Sequence, residues 1–259
     1  MELNGKTIVL TGAASGIGAA MARRFAEESP GALVLVDIDP GVRRIAEELG
    51  ATGAIADVSV GDAVEHLVAD VRSDHGHIDL FCSNAGVATG AGIDASPDTW
   101  QRTWDVNVMA HVHAARAVLP GMLERGAGYL LNTASAAGLL TNIGDAPYSV
   151  TKHAAVALAE WISVTYGDRG VKVSCLCPQG VRTPMLLGGV DDGHLGAHLV
   201  AAQGLIEPEE CAEAVIAGLR EERFLILPHP EVAEYVSFKA NDIDKWLRGM
   251  RKLQTRAPR

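Results

Sequence analysis

The chain has 259 residues, of which 48% are hydrophobic and 21% are charged, so it can bury a sizeable core and is not a disordered protein. The formal net charge of -10 argues against a nucleic-acid or anionic-membrane partner, because both bind clustered lysine and arginine. The sequence does not open on a basic region followed by a long apolar stretch, which predicts a soluble, cytoplasmic protein with no membrane span.

Seven short runs rich in valine, isoleucine and leucine predict strands in chain order. They cover residues 7–11, 32–37, 53–57, 78–83, 129–135, 171–177 and 223–228. Segments with helical periodicity alternate with them, at residues 16–28, 41–49, 60–75, 97–125, 147–167, 208–221 and 231–250. Because the apolar runs are nearly continuous, each strand should be covered on both faces. The alternation predicts an α/β fold with a doubly wound, parallel seven-stranded sheet and helices on both of its faces.

No linker or repeat divides this series, so we expect residues 1–259 to form a single domain. The least regular stretch, residues 183–208, follows the sixth strand and is predicted to be a substrate loop or lid, because ligands bind at the carboxyl ends of strands in such sheets. Residues 229–259 are predicted to form a C-terminal helix and tail.

Cysteine and histidine do not predict a metal site. Cys175 and Cys177 fall on one face of a strand, and the four cysteines form no CxxC pair, so buried free thiols are expected in a reducing compartment. His194 and His198 could share a metal on a helix, but no third ligand lies near them in the sequence.

The first predicted strand runs into "TGAASGIG", which a helix follows. Gly12, Gly16 and Gly18 would allow a tight turn, close approach of the backbone to a pyrophosphate, and close packing of helix on strand. The helix N-terminus would then present unpaired N–H groups to the phosphates. A glycine-rich turn can also serve any tight connection, and its place between strand and helix is what favours a dinucleotide.

Asp37 ends the second predicted strand, nineteen residues beyond Gly18. A carboxylate at this spacing can accept both ribose hydroxyls of an adenosine. It would also repel a 2′-phosphate, since two unit charges about 4 Å apart cost on the order of 4 kcal/mol at an effective dielectric near 20. The neighbouring Ala13, Ala14 and Ile38 offer no cation, so the sequence favours NAD over NADP.

The hexapeptide "PYSVTK" places Tyr148 and Lys152 four residues apart, behind Pro147. Proline favours the first turn of a helix, so both side chains should share one helical face. A nearby fixed cation favours the phenolate, and we expect Lys152 and a second positive charge to lower the pKa of Tyr148 from about 10 to about 7. The alternative is an amphipathic residue and a surface charge at helical spacing.

Together these motifs resemble the short-chain dehydrogenase/reductase family in its compact form, from Lys6 to about Pro184. The family's TGxxxGxG is matched by Thr11, Gly12, Gly16 and Gly18. Further matches, in the family's order, are Asp57-Val58, "NAG" at Asn84, Ala85 and Gly86, Asn107 in "DVNVMA", Ser135 in "NTASAAG", and Tyr148 and Lys152.

The resemblance implies a Rossmann fold and an NAD-dependent oxidoreductase. It implies that Tyr148 is the base, that Ser135 binds the substrate oxygen, that Lys152 also binds the nicotinamide ribose, and that Asn107 holds a proton-passing water. The implied cofactor-binding residues are Gly12, Ser15, Gly16, Ile17, Gly18, Asp37, Asp57, Val58, Asn84, Ala85, Gly86, Tyr148, Lys152, Pro178, Val181 and Thr183. Two positions depart from the family pattern: Ser83 stands where the family has asparagine, and Gln179 stands where it has glycine.

Apolar residues in the lid and in the loop after Ser135 predict an apolar alcohol or ketone without an anionic group. They are Met185, Leu186, Leu187, Leu195, Leu199, Leu139, Leu140 and Ile143. The tryptophans, Trp246 among them, are predicted to pack in the core or between subunits. By resemblance, residues 97–125 and 147–167 pair across a homotetramer. A non-catalytic nucleotide-binding scaffold and an NADP-dependent carbonyl reductase are the alternative functions.

Overall fold

Seven strands form one parallel sheet within the described residues. A computed structural model describes residues 1–256, and residues 257–259 of the predicted tail lie outside the described part. In chain order the strands are β1 (Thr7–Thr11), β2 (Ala32–Asp37), β3 (Thr52–Ile55), β4 (Leu80–Ser83), β5 (Gly128–Thr133), β6 (Val171–Leu176) and β7 (Leu225–Ile226). Their order is β3-β2-β1-β4-β5-β6-β7, and neighbours pair in parallel. This confirms the predicted doubly wound fold.

The helices follow the strands as the periodicity predicts, with additional short helices late in the chain. They are α1 (Gly16–Glu27), α2 (Val42–Leu49), α3 (Gly61–His75), α4 (Pro97–Trp104), α5 (Ala110–Arg125), α6 (Ala146–Tyr166), α7 (Pro184–Asp191), α8 (Leu195–Ala201), α9 (Pro208–Arg220), α10 (Glu231–Asn241) and α11 (Ile243–Arg256). Among the described residues, none of these helices is both long enough and apolar enough to cross a membrane.

Two apolar cores lie on opposite faces of the sheet. Ile8 and Leu10 of β1 belong to a cluster that α1, α2 and α9 complete, while the intervening Val9 belongs to a cluster completed by α3, α5 and α6. Successive side chains of a strand point to opposite faces, so an unbroken apolar run supplies both cores. The four cysteines are free and buried, as predicted, and the Sγ atoms of Cys175 and Cys177 lie 3.8 Å apart.

The structure differs from the sequence prediction in three helical regions. Residues 97–125 are not one continuous α-helix, because a π-helical turn at Asp105–Met109 separates α4 from α5. The lid, residues 183–208, is not irregular but contains α7 and α8. Residues 231–250 are not one helix either: Asp242 leaves the helical region with φ -150° and ψ 85°, and its Oδ1 accepts a hydrogen bond from the Lys245 backbone at 2.9 Å.

Strand β7 is also shorter than predicted, with two residues instead of the six at 223–228. It is the edge strand and pairs only with β6 among the described elements. The sheet order places the reversal of winding between β1 and β4, where a crevice opens at the carboxyl ends of the strands. The loops that carry Gly12, Asn84, Ser135 and Pro178 therefore meet at one edge.

Candidate active site

Two adjoining cavities lie at the carboxyl edge of the sheet. The first, of about 660 Å³, lies against the glycine turn and is called the glycine cavity below. The second, of about 630 Å³, is enclosed largely by apolar side chains and is called the apolar cavity. Tyr148 lines both cavities, together with Gly86, Pro178 and Thr183. Ile17 lines both as well, so the junction of the cavities includes five of the residues that the family pattern singles out.

The glycine turn leaves no room for side chains. Gly12 has a φ of 66°, and a Cβ added to it would lie 2.8 Å from the Ala85 Cα. A Cβ on Gly18 would lie 1.9 Å from the Gly12 carbonyl oxygen. Helix α1 begins at Gly16 with its N-terminal N–H groups directed away from the helix, next to this space. The backbone thus forms a cradle of the kind that holds a pyrophosphate.

Asp37 lies on the rim of the glycine cavity, at the end of β2. Its Oδ2 accepts a hydrogen bond from the Ala14 backbone at 2.9 Å, and its Oδ1 accepts one from the Asp39 backbone at 3.0 Å. Among the described residues, Arg102 and Lys152 are the only lysine or arginine side chains that line this cavity. The carboxylate is thus fixed in orientation by the glycine turn itself.

Asn84 joins the glycine turn to the loop after β4. Its Nδ2 donates to the carbonyl oxygens of Thr11 at 3.1 Å and of Gly12 at 3.3 Å, and its backbone N–H donates to Thr11 Oγ1 at 3.0 Å. Asp57 follows β3 instead of ending it, and its Oδ1 accepts hydrogen bonds from the backbone and hydroxyl of Ser59. These side chains brace the cavity wall.

Most of the residues that the family pattern assigns to the cofactor lie around one cavity. Those lining the glycine cavity are Gly12, Ser15, Gly16, Ile17, Gly18, Asp37, Asp57, Val58, Asn84, Ala85, Gly86, Tyr148, Lys152, Pro178 and Thr183. Val181 lines the apolar cavity instead, as does Ser135. Asn107 lines neither of these two cavities.

Tyr148 and Lys152 lie in the first turns of α6, on a shared face. Lys152 is 3% exposed, its Nζ donates to the Thr133 carbonyl oxygen at 3.0 Å, and the same Nζ lies 5.7 Å from the centroid of the Tyr148 ring. Burial lowers the pKa of Lys152 to about 8. A cation with this pKa can lose or keep its proton near neutral pH.

In the protein by itself the pKa of Tyr148 is raised, whereas the sequence argument expected a lowering by Lys152 together with a second positive charge. Burial raises the pKa of the phenol above 10, since a buried phenolate loses its hydration, and the Ser135 hydroxyl lowers the pKa only in part. The Asp145 carboxylate raises the pKa of Tyr148 further. Lys152 by itself therefore does not bring the pKa of the phenol below its usual value, and the expected lowering depends on the second positive charge.

Ser135 follows β5 and begins a short 3₁₀ turn, Ala136–Gly138. Its Oγ accepts a hydrogen bond from the Ala137 backbone at 3.1 Å and donates one to the Pro178 carbonyl oxygen at 3.4 Å. The second of these is long and easily exchanged for a better acceptor. The hydroxyl is thus held at the wall of the apolar cavity with its proton available.

Asn107 lies in the π-helical turn and is fully buried. Its Oδ1 accepts a hydrogen bond from the Val87 backbone at 2.8 Å, while its Nδ2 donates to the Val87 carbonyl oxygen at 2.9 Å and to Thr151 Oγ1 at 3.1 Å. Both amide protons are therefore in use, which leaves only a lone pair of Oδ1 for a water. Asn107 therefore fixes the loop after β4 by bonding both the N–H and the carbonyl oxygen of Val87.

Asp145 is a residue that the motifs did not reveal. It is 3% exposed and caps α6, its Oδ1 accepting from the Tyr148 backbone at 3.0 Å and from Thr89 Oγ1 at 2.7 Å. Its Oδ2 accepts from the backbones of Thr89 and Gly90, both at 2.7 Å. An aspartate two residues before a proline is an N-cap signal, and that signal could have found it.

The apolar cavity is lined by the lid and by α10 and α11. Met185, Leu186 and Leu199 line it as predicted, with Leu140 and Ile143 from the loop after Ser135. Three predictions were wrong, because Leu139, Leu187 and Leu195 are not among the lining residues. Trp246, predicted to pack in the core or between subunits, does line it, together with the side chains of Tyr235, Phe238, Met250 and Leu253. Their contribution was not visible in the sequence because they follow Lys152 of the PYSVTK motif by more than eighty residues.

Charge is sparse around the apolar cavity. Asp145 and Asp192 are the carboxylates that line it, and no lysine or arginine within residues 1–255 does so. Gln179, the departure from the family pattern, also lines it and donates from Nε2 to Gln203 Oε1 at 2.8 Å. The Gln203 amide in turn donates to the Leu199 carbonyl oxygen at 3.0 Å. Gln179 Oε1 is buried and has no hydrogen-bond partner in the described part of the chain.

A family model described as short chain dehydrogenase matches residues 6–190. The chain belongs to the short-chain dehydrogenase/reductase family. It is 35% identical over 253 residues to the 1-deoxy-11-beta-hydroxypentalenate dehydrogenase of Streptomyces avermitilis, covering 94% of this chain and 92% of that protein. The family membership makes the chain an oxidoreductase.

Solved structures of the family are similar over almost the whole length. A short-chain dehydrogenase/reductase from Burkholderia phymatum in complex with NAD gives a TM-score of 0.86 at 31% identity, covering 94% of this chain and 96% of that one. A structure from Beutenbergia cavernae, described as an NAD(P) dependent gluconate 5-dehydrogenase with bound NADP, gives 0.80 at 25% identity, covering 90% and 98%. Similar proteins thus hold either dinucleotide.

Proposed function

We propose that the protein interconverts a secondary alcohol and a ketone with NAD as the hydride acceptor, acting on a neutral, apolar substrate. The observation that carries this proposal is the position of Tyr148, a titratable group at the junction of the glycine cavity and the apolar cavity. A group that exchanges a proton with a substrate must reach it from beside the cofactor. Tyr148 meets that requirement.

The residues of the glycine cavity fit NAD. The tightly packed glycine turn leaves the N-terminus of α1 open to a pyrophosphate, and Asp37 offers carboxylate oxygens to ribose hydroxyls. The same carboxylate would repel the 2′-phosphate of NADP. When bound, NAD supplies the nicotinamide carbon that accepts a hydride from the alcohol carbon.

Three side chains of the chain handle the proton and the charge. In the oxidising direction, the Tyr148 phenolate takes the hydroxyl proton of the substrate, and Ser135 Oγ donates a hydrogen bond to the same oxygen. Lys152, held by the Thr133 carbonyl oxygen, provides in its protonated form a positive charge that favours the phenolate. Ketone reduction uses the same groups with the proton moving from Tyr148 to the substrate.

The lining of the apolar cavity supports a neutral substrate. A carboxylate or phosphate on the substrate would meet Asp145 and Asp192 and find no lysine or arginine among the described lining residues. An ionised group without a partner is costly to move out of water. The name of the Streptomyces relative is that of a dehydrogenase of a hydroxy compound, which supports the reaction type.

The proposal is tested by following reduced nicotinamide absorbance while the purified protein is offered neutral secondary alcohols with NAD, and with NADP in parallel. Each alcohol is paired with an analogue that carries a carboxylate at the end remote from the hydroxyl. We expect turnover with NAD and the neutral member of each pair. Turnover with NADP alone would point to the carbonyl reductase alternative, and cofactor binding without any turnover would point to the scaffold.

A further inference from the structure

The two C-terminal helices, α10 and α11, turn their apolar faces toward the apolar cavity. Tyr235 and Phe238, three residues apart, line the cavity from α10. Trp246, Met250 and Leu253 line it from α11, at spacings of four and three residues. Residues at these intervals share one face of a helix. The two helices, residues 231–256, are called the C-terminal cap below.

Some of the apolar side chains that line the cavity are exposed to solvent in the protein by itself. Tyr235 is 41% exposed, Phe238 is 42% exposed and Met185 of the lid is 47% exposed, although all three line the cavity. Exposed apolar area gains about 25 cal/mol for each Å² that a ligand removes from water. A ligand large enough to reach the cap therefore gains free energy that a small alcohol cannot.

Lys239 ties the C-terminal cap to the loop after Ser135. Its Nζ donates to the carbonyl oxygens of Leu139 at 2.7 Å and Leu140 at 2.9 Å, and it lies 5.0 Å from the centroid of the Trp246 ring. Lys239 itself is not one of the lining residues. It is therefore placed to fix the cap, and Trp246 in particular, relative to the loop that begins at the catalytic serine.

We propose that the C-terminal cap binds the part of the substrate that is remote from the reacting carbon. The substrate is then a bulky neutral ring alcohol or ketone. Lys239 is the positioning residue that holds the cap in place. The inference rests on the dehydrogenase function proposed above. A cavity of about 630 Å³ is in the range that takes a molecule of several fused rings, and a four-carbon alcohol would leave most of it to water.

The cap is tested with two substrates, decahydro-2-naphthol and 2-butanol, and two adjacent substitutions. Trp246→Ala removes a lining side chain, while Leu247→Ala removes one that is 41% exposed and outside the lining. We expect Trp246→Ala to raise the KM for decahydro-2-naphthol about tenfold and to change kcat/KM for 2-butanol less than about twofold. Leu247→Ala should change neither.

The role of Lys239 is tested by Lys239→Met, which keeps the apolar stem and removes the N–H donors, and by Lys239→Arg, which restores donors. Lys239→Met should raise the KM for decahydro-2-naphthol about fivefold with kcat for 2-butanol retained, and Lys239→Arg should recover much of the loss. Thermal denaturation of each variant shows that it is folded.

The outcomes separate the cap from the reaction. If the unaltered protein turns over no alcohol with either dinucleotide, the dehydrogenase function fails, and the cap proposal fails with it. If it turns over alcohols but Trp246→Ala or Lys239→Met affects 2-butanol and decahydro-2-naphthol equally, the dehydrogenase stands and the cap proposal is overturned.

Discussion

The glycine cavity and the apolar cavity are built from different parts of the polypeptide. Around the glycine cavity, Gly12 and Gly18 and the N-terminus of α1 shape the space with backbone atoms. The apolar cavity is shaped by side chains on α7, α8, α10 and α11. A site built from backbone allows few residue types at fixed intervals, whereas one built from side chains accepts many apolar sequences. The first therefore leaves a motif in the sequence and the second does not.

Gly18→Ala should break the glycine cavity and have the largest effect. The new Cβ would lie 1.9 Å from the Gly12 carbonyl oxygen, and because that oxygen belongs to the backbone and the Cβ is bonded directly to the backbone of residue 18, neither can move aside cheaply. We expect NAD affinity to fall at least about a hundredfold, or the protein to fail to fold. Calorimetric titration with NAD and thermal denaturation distinguish these results.

Gly249→Ala is the matched glycine-to-alanine substitution in α11, one of the helices that line the apolar cavity. Gly249 lies within α11 with nothing within 4 Å of an added Cβ. Alanine in a helix interior is favoured over glycine by about 0.5–1 kcal/mol, so the protein should become slightly more stable while NAD affinity stays unchanged. Equal damage from the two substitutions would contradict the contrast between the cavities.

Asp37→Ser should sharpen the comparison by changing cofactor choice alone. Serine keeps a short polar group near the Ala14 backbone and removes the charge, which relieves a repulsion on the order of 4 kcal/mol before screening by solvent and salt. The ratio of kcat/KM with NADP to kcat/KM with NAD should rise about a hundredfold in steady-state assays. Asp39→Ser, outside the lining of the glycine cavity, is the control and should leave the ratio unchanged.

Asp145→Asn should show how the two cavities are held together. Asp145 accepts four hydrogen bonds from the loop after β4 and from α6, and an asparagine would turn N–H groups toward some of those donors. We expect the free energy of unfolding in urea to fall by about 2–4 kcal/mol. Asp192→Asn, an exposed carboxylate on the apolar cavity, should change it by less than about 0.5 kcal/mol.

The effect of pH follows from the state of Tyr148. Burial raises its pKa, so the reactive phenolate is scarce at neutral pH unless a positive charge lowers that pKa. Alcohol oxidation requires the deprotonated base, and kcat/KM should rise with pH, by about tenfold per unit below the apparent pKa. Ketone reduction requires the protonated phenol and should fall as pH rises. A profile for oxidation that is flat between about pH 6 and pH 9 would contradict Tyr148 as the base.

The sequence predicts the glycine cavity better than it predicts the apolar cavity. The positions of the strands along the chain and the position of Asp37 follow from local patterns, because each run of apolar residues carries its own periodicity. The glycine turn follows for the same reason, since its spacing is local. The family resemblance supplied Asn107 and Ser135, which periodicity alone does not single out.

The remainder depends on contacts distant in sequence. Nothing local distinguishes Trp246, which lines the apolar cavity, from Trp161, which is 58% exposed. The π-helical turn at Asp105–Met109 has the apolar spacing of an ordinary helix, so hydrophobic periodicity could not predict it. The burial that raises the pKa of Tyr148 in the protein by itself is not visible in the sequence, which shows only the nearby lysine.

The central claim is that Tyr148 exchanges the proton at the junction of the two cavities, and its most direct test is Tyr148→Phe. The substitution removes one oxygen without changing the ring, and Tyr235→Phe makes the same change elsewhere in the apolar cavity. NAD affinity is measured by titration, and turnover is measured on one alcohol. Tyr148→Phe should keep NAD affinity within about threefold while kcat falls about a thousandfold. Tyr235→Phe should retain activity. A Tyr148→Phe protein that keeps a tenth or more of the original kcat would contradict the account.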